Sequence, residues 1–215
     1  MNAPAELATQ LQQTEFRLNG NAVVALGDES IIEAAQRHGV KIPHLCYKPG
    51  MRPDGNCRAC VVEIKGERVL APSCCRKPTT GMEVSSESAR ALHSQKLVVE
   101  MLAADVPERL LKPDSELELW KRWLKIGKPR FAPRRQPAAD LSHPAMAVNL
   151  DACIQCTRCV RACREEQVND VIGYAFRGGH SQIVFDQGDP MGASTCVACG
   201  ECVQACPTGA LAPAH

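Results

Sequence analysis

The sequence predicts an α+β protein: a small sheet-and-helix domain, then a helical connector, then a loop-rich domain dense in cysteine. Three observations predict it. Short β-like segments punctuated by Asn19-Gly20, Gly66 and Gly81 fill residues 14–85. Longer helix-periodic stretches fill residues 86–126. Eight of the thirteen cysteines crowd into residues 148–212, beyond a linker at 127–147 in which prolines alternate with Lys128, Arg130, Arg134 and Arg135.

In the first domain, Glu15 to Leu18 and Ala22 to Ala25 read as strands flanking Asn19-Gly20, a strong short hairpin signal. A helix follows over Ile31 to His38, with Ser30 and Glu33 spaced as a capping box and Gly39 as the stop. Cys60 to Ile64 and Arg68 to Ala71 read as a second hairpin about Lys65-Gly66-Glu67, and Gly81 to Ser85 as a closing strand. The connector holds one helix over Ser86 to Ala104, with apolar Leu92, Leu97, Val98, Met101 and Leu102. A second covers Ser115 to Ile126, and Pro107 and Pro113 mark the break. The basic linker reads as a solvated segment. In the last domain, Val171 to Phe176 and Gln182 to Phe185 flank Gly178-Gly179 as an inserted hairpin, expected to cover the cysteine-rich centre, with a docking face as the alternative.

The totals exclude several classes. A formal net charge of +1 gives no electrostatic footprint for nucleic acid. With four Phe, two Trp and two Tyr in 215 residues, the chain is poor in large core side chains and needs other staples. The opening residues lack a basic-then-apolar leader, and no apolar run is long enough to span a bilayer, so the expectation is a cytoplasmic protein without a transmembrane segment. In a reducing compartment, clustered cysteines point to metal rather than disulfides.

The C-terminal cysteines form two identical runs, Cys153-x2-Cys156-x2-Cys159-x3-Cys163 and Cys196-x2-Cys199-x2-Cys202-x3-Cys206. This is the bacterial two-cluster ferredoxin spacing, in which the fourth cysteine of each run ligates the other cluster. It predicts one [4Fe–4S] cluster on Cys153, Cys156, Cys159 and Cys206, and a second on Cys163, Cys196, Cys199 and Cys202. Each fourth cysteine is expected at the start of a short helix. Pro207 follows Cys206 as in the ferredoxin run, whereas Arg164 follows Cys163. Zinc knuckles pair ligands two and two, which fits this spacing poorly.

The N-terminal group is Cys46-x10-Cys57-x2-Cys60-x13-Cys74, with Cys75 adjacent. It departs from the plant-type [2Fe–2S] spacing, and ligand type alone also allows zinc. Gly50, Pro53 and Gly55 let the chain bend round a sulfur-lined centre. Only one of Cys74 and Cys75 can ligate, since adjacent side chains diverge; the other reads as a small buried thiol. His44 either tunes this centre or makes a structural polar contact.

The stretch IPHLCYKPGMRPDGNCRACVVEIKGERVLAPSCCRKPTTGMEV resembles the [2Fe–2S] domain shared by the largest peripheral subunit of complex I, [FeFe]-hydrogenases and NAD-dependent formate dehydrogenases. With DACIQCTRCVRACREEQVNDVIGYAFRGG and STCVACGECVQACPTGAL, the likeness is to the N-terminal iron–sulfur region of the α subunit of NAD-dependent molybdenum/tungsten formate dehydrogenases, over residues 14–212. The resemblance implies a β-grasp [2Fe–2S] domain with Cys74, in Ser73-Cys74-Cys75-Arg76-Lys77-Pro78, as fourth ligand beside Cys46, Cys57 and Cys60. It also implies a relay passing electrons between a molybdopterin subunit that oxidises formate and a flavin/NAD-binding subunit. Many relatives carry a His-x3-Cys-x2-Cys-x5-Cys centre between these regions. Here no cysteine follows His93 before Leu111, so His93 reads as an ordinary helix-face residue. The large molybdopterin domain of such α subunits is absent from this sequence, so the catalytic part is expected on a separate polypeptide or in a longer chain. An equivalent relay in an NADH-quinone oxidoreductase or hydrogenase diaphorase module is the alternative, and a cluster-based redox sensor the alternative of another class.

No catalytic constellation accompanies the cysteines: there is no dinucleotide fingerprint and no H-E-x-x-H. The chain by itself is expected to move electrons and to turn over no organic substrate.

Overall fold

The computed structural model describes residues 13–106, 112, 114–134 and 137–214. The readings placed on Pro107, Pro113, Arg135 and the opening twelve residues lie outside the described residues. Contacts divide the chain into two compact units. The first takes the chain up to Ile42 together with Val61–Ala91, and the second takes Pro43–Cys60 and everything from Leu92 onward.

The first unit is a mixed sheet crossed by one helix. Strand β1 (Gln13–Leu18) turns through Asn19-Gly20 into β2 (Asn21–Leu26), pairing Phe16 with Val23. Asn19 and Gly20 both take positive φ, 51° and 83°, as a two-residue hairpin turn requires. Helix α1 (Ile31–Arg37) begins at Ser30 with the capping box complete: the Ser30 amide donates to Glu33 at 2.7 Å. It buries Ile31, Ile32, Ala34 and Ala35. Strand β3 (Val61–Ile64) pairs antiparallel with β4 (Ala71–Pro72) and with β5 (Glu83–Ser85), which lies parallel to β1. Among the described residues the sheet order is β2-β1-β5-β3-β4. Arg68, Val69 and Leu70, expected in a strand, lie outside it, Arg68 and Val69 in a bend, and the pairing with β3 starts at Ala71 opposite Val62.

Helix α2 runs Ala89–Ala104, and the Ala91 amide donates to the Ser88 hydroxyl at 3.1 Å. Its buried stripe is Ala91, Gln95, Val99 and Ala103, one residue per turn, while Met101 is 51% exposed. The apolar Leu92, Leu97, Val98 and Leu102 are half-buried beside that stripe. Helix α3 (Glu116–Trp123) is capped by Ser115, whose hydroxyl accepts from the Glu118 amide. It ends before the expected Ile126. Lys125 takes φ 56°, Ile126 donates to the Lys121 carbonyl and Lys125 to that of Arg122, which is the Schellman arrangement without its usual glycine.

The linker is largely exposed, as expected of a solvated segment, and is tied down at two points. Arg130 holds Glu100 of α2 through Nε (2.8 Å), Nη2 (2.7 Å) and its own amide (3.0 Å), and the Arg134 amide donates to Asp105 at 2.8 Å. The Arg130 hydrogen bonds lower the Glu100 pKa to about 2, against the opposing effect of burial. A carboxyl held below its ordinary 4.5 stabilises the fold above that value and loses the contribution as pH falls from 4.5 toward 2. The exchange protection factor of the Arg130 amide is therefore expected to stay level down to about pH 5 and fall below it; unchanged protection at pH 2 would contradict this ion pair.

Beyond the linker, β6 (Met146–Val148) pairs with β9 (Leu211–Pro213), bringing the two ends of the cysteine-rich segment together. Strands β7 (Ile172–Ala175) and β8 (Gln182–Phe185) form the inserted hairpin, with Ile172 opposite Phe185. Short helices α4 (Arg158–Arg161) and α5 (Glu201–Ala205) carry Cys159 and Cys202. The fourth cysteines differ from expectation. Cys163 lies in a π-helical turn that prolongs α4 over Ala162–Glu166, and Cys206 is the cap closing α5, so each follows its helix rather than starting it.

Candidate iron–sulfur sites

The two C-terminal runs fold alike. The residue two after the first cysteine is left-handed in both, Gln155 and Ala198 at φ 57°, and its amide donates to that cysteine's Sγ, 3.4 Å from Gln155 to Cys153 and from Ala198 to Cys196. Thr157 and Gly200 are left-handed too, at φ 60° and 80°. The alternating hand curls the backbone so that successive thiols face one centre. Thr157 pays the cost of this conformation without glycine's freedom; its hydroxyl donates to Asp54 at 2.7 Å and accepts from Asn56 Nδ2 at 3.1 Å.

Cys153, Cys156, Cys159 and Cys206 line one cavity, completed by Leu150, Ile154, Thr157, Ile183, Thr208, Ala210 and Leu211. Ile183 comes from the inserted hairpin, and the Tyr174 hydroxyl donates to Gln155 Oε1 at 2.8 Å, so the hairpin covers this cavity. Burial pushes the Cys153 thiol up to about 11, the Gln155 amide opposing it, and burial likewise raises Cys156 and Cys159. Cys202 is pushed up to about 12, by burial first and then by the neighbouring thiols Cys196, Cys199 and Cys163. Cys196 is half-buried and Cys199 exposed, with Val197 between them 61% exposed, so the second group opens toward solvent. Buried thiols with raised pKa values keep their protons until a metal replaces them. Four sulfurs round an apolar cavity, with amides aimed at sulfur, are a donor set that fits an iron–sulfur cluster.

The segment with Cys46, Cys57 and Cys60 belongs to the second unit, and the Cys46 amide donates to the Cys57 sulfur at 3.3 Å. The Cys57 thiol is pushed up, first by its hydrogen bond with Cys46 and then by burial. Leu45, Cys46 and Ala59 share one apolar cluster with Val99, Leu117, Leu124, Ile154 and Cys156. His44 packs edge-on against Tyr47 (5.5 Å) and Trp120 (5.3 Å). In the first unit, Ser73 and Arg76 give their carbonyls to the amides of Ile32 and Ile31 at the start of α1, which fixes the loop bearing Cys74. Cys74 is fully buried; Cys75, expected to be buried, is exposed. His93 stands exposed on α2, as a helix-face residue does.

Sequence reasoning missed two residues beside the sulfurs. Arg158 and Arg161, at non-cysteine positions of the first run, are only 1% and 3% exposed and bond the Cys46 segment. The only available signal was two arginines spaced among closely packed cysteines, where solvated side chains are unexpected.

Comparison with known proteins separates the N-terminal cysteines from the two C-terminal runs. Residues 12–89 match the family described as "2Fe-2S iron-sulfur cluster binding domain", and residues 152–210 the "4Fe-4S dicluster domain". The NADP-reducing hydrogenase subunit HndD of Solidesulfovibrio fructosivorans is 31% identical over 90% of this chain and 35% of its own length. An NADH-quinone oxidoreductase subunit of Rhizobium meliloti is 32% identical over 85% of this chain and 22% of its own length. A putative formate dehydrogenase of Staphylococcus haemolyticus is 24% identical over 90% of this chain and 20% of its own. The chain thus spans about a third or less of the curated relatives it matches. A solved chain of an NAD+-reducing [NiFe]-hydrogenase superposes with TM-score 0.82 at 29% identity, over 93% of this chain and 87% of that one. Among the described residues no helix is long and apolar enough to cross a membrane. This is an iron–sulfur protein in which a [2Fe–2S]-binding domain precedes a [4Fe–4S] dicluster domain.

Proposed function

We propose that the chain is the electron-relay component of a multi-subunit, NAD-linked oxidoreductase. The observation that carries this is the apolar cavity lined by Cys153, Cys156, Cys159 and Cys206, a sulfur site with no substrate-activating group in its lining. Bound clusters supply one-electron carriers. The residues of this chain hold them, exclude water and set their charge environment. The ligand sets are Cys46, Cys57, Cys60 and Cys74 for [2Fe–2S], Cys153, Cys156, Cys159 and Cys206 for one [4Fe–4S], and Cys163, Cys196, Cys199 and Cys202 for the other. The complete burial of Cys74 beside an exposed Cys75 supports that choice. Parallel β1–β5 pairing inside a mixed sheet crossed by α1 supports a β-grasp first domain.

The likeness to the [NiFe]-hydrogenase chain over most of both lengths favours a hydrogenase or NADH-quinone oxidoreductase setting, with a flavin/NAD subunit as one partner. The lack of cysteine between His93 and Leu111, with the formate dehydrogenase relative, favours a molybdopterin formate-oxidising partner instead. Anaerobic affinity purification from the native cell, with mass spectrometry, tests both. Hydrogenase or quinone-module subunits support the first, a molybdopterin oxidoreductase the second. Recovery of neither alongside a flavin/NAD subunit removes the relay reading.

The ligand choice has its own test. Cys57→Ser and Cys74→Ser are each expected to abolish the [2Fe–2S] EPR signal, and Cys75→Ser to leave it intact. Loss of the signal in Cys75→Ser with retention in Cys74→Ser would reverse the assignment.

A further inference from the structure

Resting on that cluster reading, we infer that Arg161 is a positioning residue that ties a [2Fe–2S] ligand to a [4Fe–4S] ligand and tunes both centres by its charge. One guanidinium nitrogen, Nη2, reaches the Cys46 carbonyl at 2.6 Å and the Cys156 carbonyl at 3.4 Å. Nη1 donates to the Arg52 carbonyl. The Cys46 loop and the Cys156 loop are therefore held by a single side chain, 3% exposed, inside the second unit.

Its neighbour makes the contrast. Arg158 is equally buried and also bonds the Cys46 loop, at the Tyr47 carbonyl, but a forked pair with Glu116 at 2.6 and 2.8 Å offsets its charge. Among the described residues the partners of Arg161 are backbone carbonyls. A buried cation held only by dipoles needs negative charge nearby. Four thiolates round an iron–sulfur core carry a net negative charge that grows by one on reduction. A fixed positive charge beside them favours the reduced state, since net charge sets cluster potential.

The test is redox titration of the full chain, loaded anaerobically and followed by EPR, with hydrogen exchange of the Cys46–Cys60 segment. Arg161→Met is expected to lower the reduced-to-oxidised ratio of the [2Fe–2S] centre and of the Cys153/Cys156/Cys159/Cys206 centre at fixed poise by about tenfold, or about 59 mV for a one-electron couple. Arg161→Lys keeps the charge but not the fork. It is expected to restore the ratio while leaving the segment's faster exchange unrepaired, and it serves if the Met variant fails to fold. Arg158→Met is expected to speed exchange with a smaller change in ratio. Unchanged ratios in Arg161→Met, or a lowered ratio in Arg161→Lys, overturn the inference while the cluster assignment stands. Absence of the [2Fe–2S] signal in the unsubstituted chain overturns both.

Discussion

Cys206→Ser is expected to erase the same [4Fe–4S] signal as Cys156→Ser, not the one erased by Cys199→Ser. Within its own run Cys206 follows Cys202 by only four residues, yet the crossed spacing assigns it to the other cluster. The fold separates them. Cys206 closes α5 and turns its sulfur into the cavity of Cys153, Cys156 and Cys159. Pairing of β9 with β6 holds this crossing in place, because Leu211 lies opposite Val148 and the chain cannot turn away after Pro207. Serine is a poor ligand for iron, so the expected loss is about four of ten irons per chain on a stoichiometry of one [2Fe–2S] and two [4Fe–4S] clusters. Iron analysis and EPR of the three variants check it. Cys206→Ser matching Cys199→Ser would mean that each run holds its own cluster.

Glu116→Gln is expected to destabilise the protein by unpairing a buried guanidinium. Glu116 opens α3 with 41% of its side chain exposed, yet its partner Arg158 is 1% exposed. Removing the carboxylate leaves a buried guanidinium without its counter-charge. Breaking a buried pair costs about 3–5 kcal/mol, and the half-exposed carboxylate places this one at about 3. At about 2–4 °C per kcal/mol for a chain of this size, the midpoint of thermal unfolding is expected to fall by about 6–12 °C. Arg158→Met is expected to cost less, since Glu116 then turns to water and a methionine fills the space, although the Tyr47 and Ala205 carbonyls lose a donor. A midpoint within about 2 °C of the unsubstituted protein in Glu116→Gln would show that the pair is not structural.

Much of the architecture is written in local signals. The Asn19-Gly20 turn, the Ser30–Glu33 capping box and the Ser115 cap each act within a few residues, so the sequence states them directly. The twin C-x2-C-x2-C-x3-C runs likewise determine that this is an iron–sulfur protein, because no other common chemistry needs thiols at that spacing. Where a signal was ambiguous locally, the sequence failed. Met101 is exposed and Leu97 half-buried, while Gln95 and Val99 of the same helix are fully buried, an orientation that the apolar pattern of α2 does not state. Lys125 ends α3 without glycine because its neighbours supply both terminal hydrogen bonds.

Only the tertiary structure decided what the charged residues do. Arg130 and Arg134 read as linker residues, and Arg158 and Arg161 drew no reading of their own. Their partners are Glu100 and Asp105, and Glu116 with the carbonyls of Tyr47 and Cys46, each distant in the chain. An arginine's side chain is long and its fork accepts any carboxylate or carbonyl, so its sequence neighbourhood does not name its partner. The sequence by itself determined the [4Fe–4S] chemistry of the two C-terminal runs and the order of the domains. Tertiary packing alone decided which buried charges hold the loop of Cys46, Cys57 and Cys60 against the dicluster segment, and which of two adjacent cysteines faces inward.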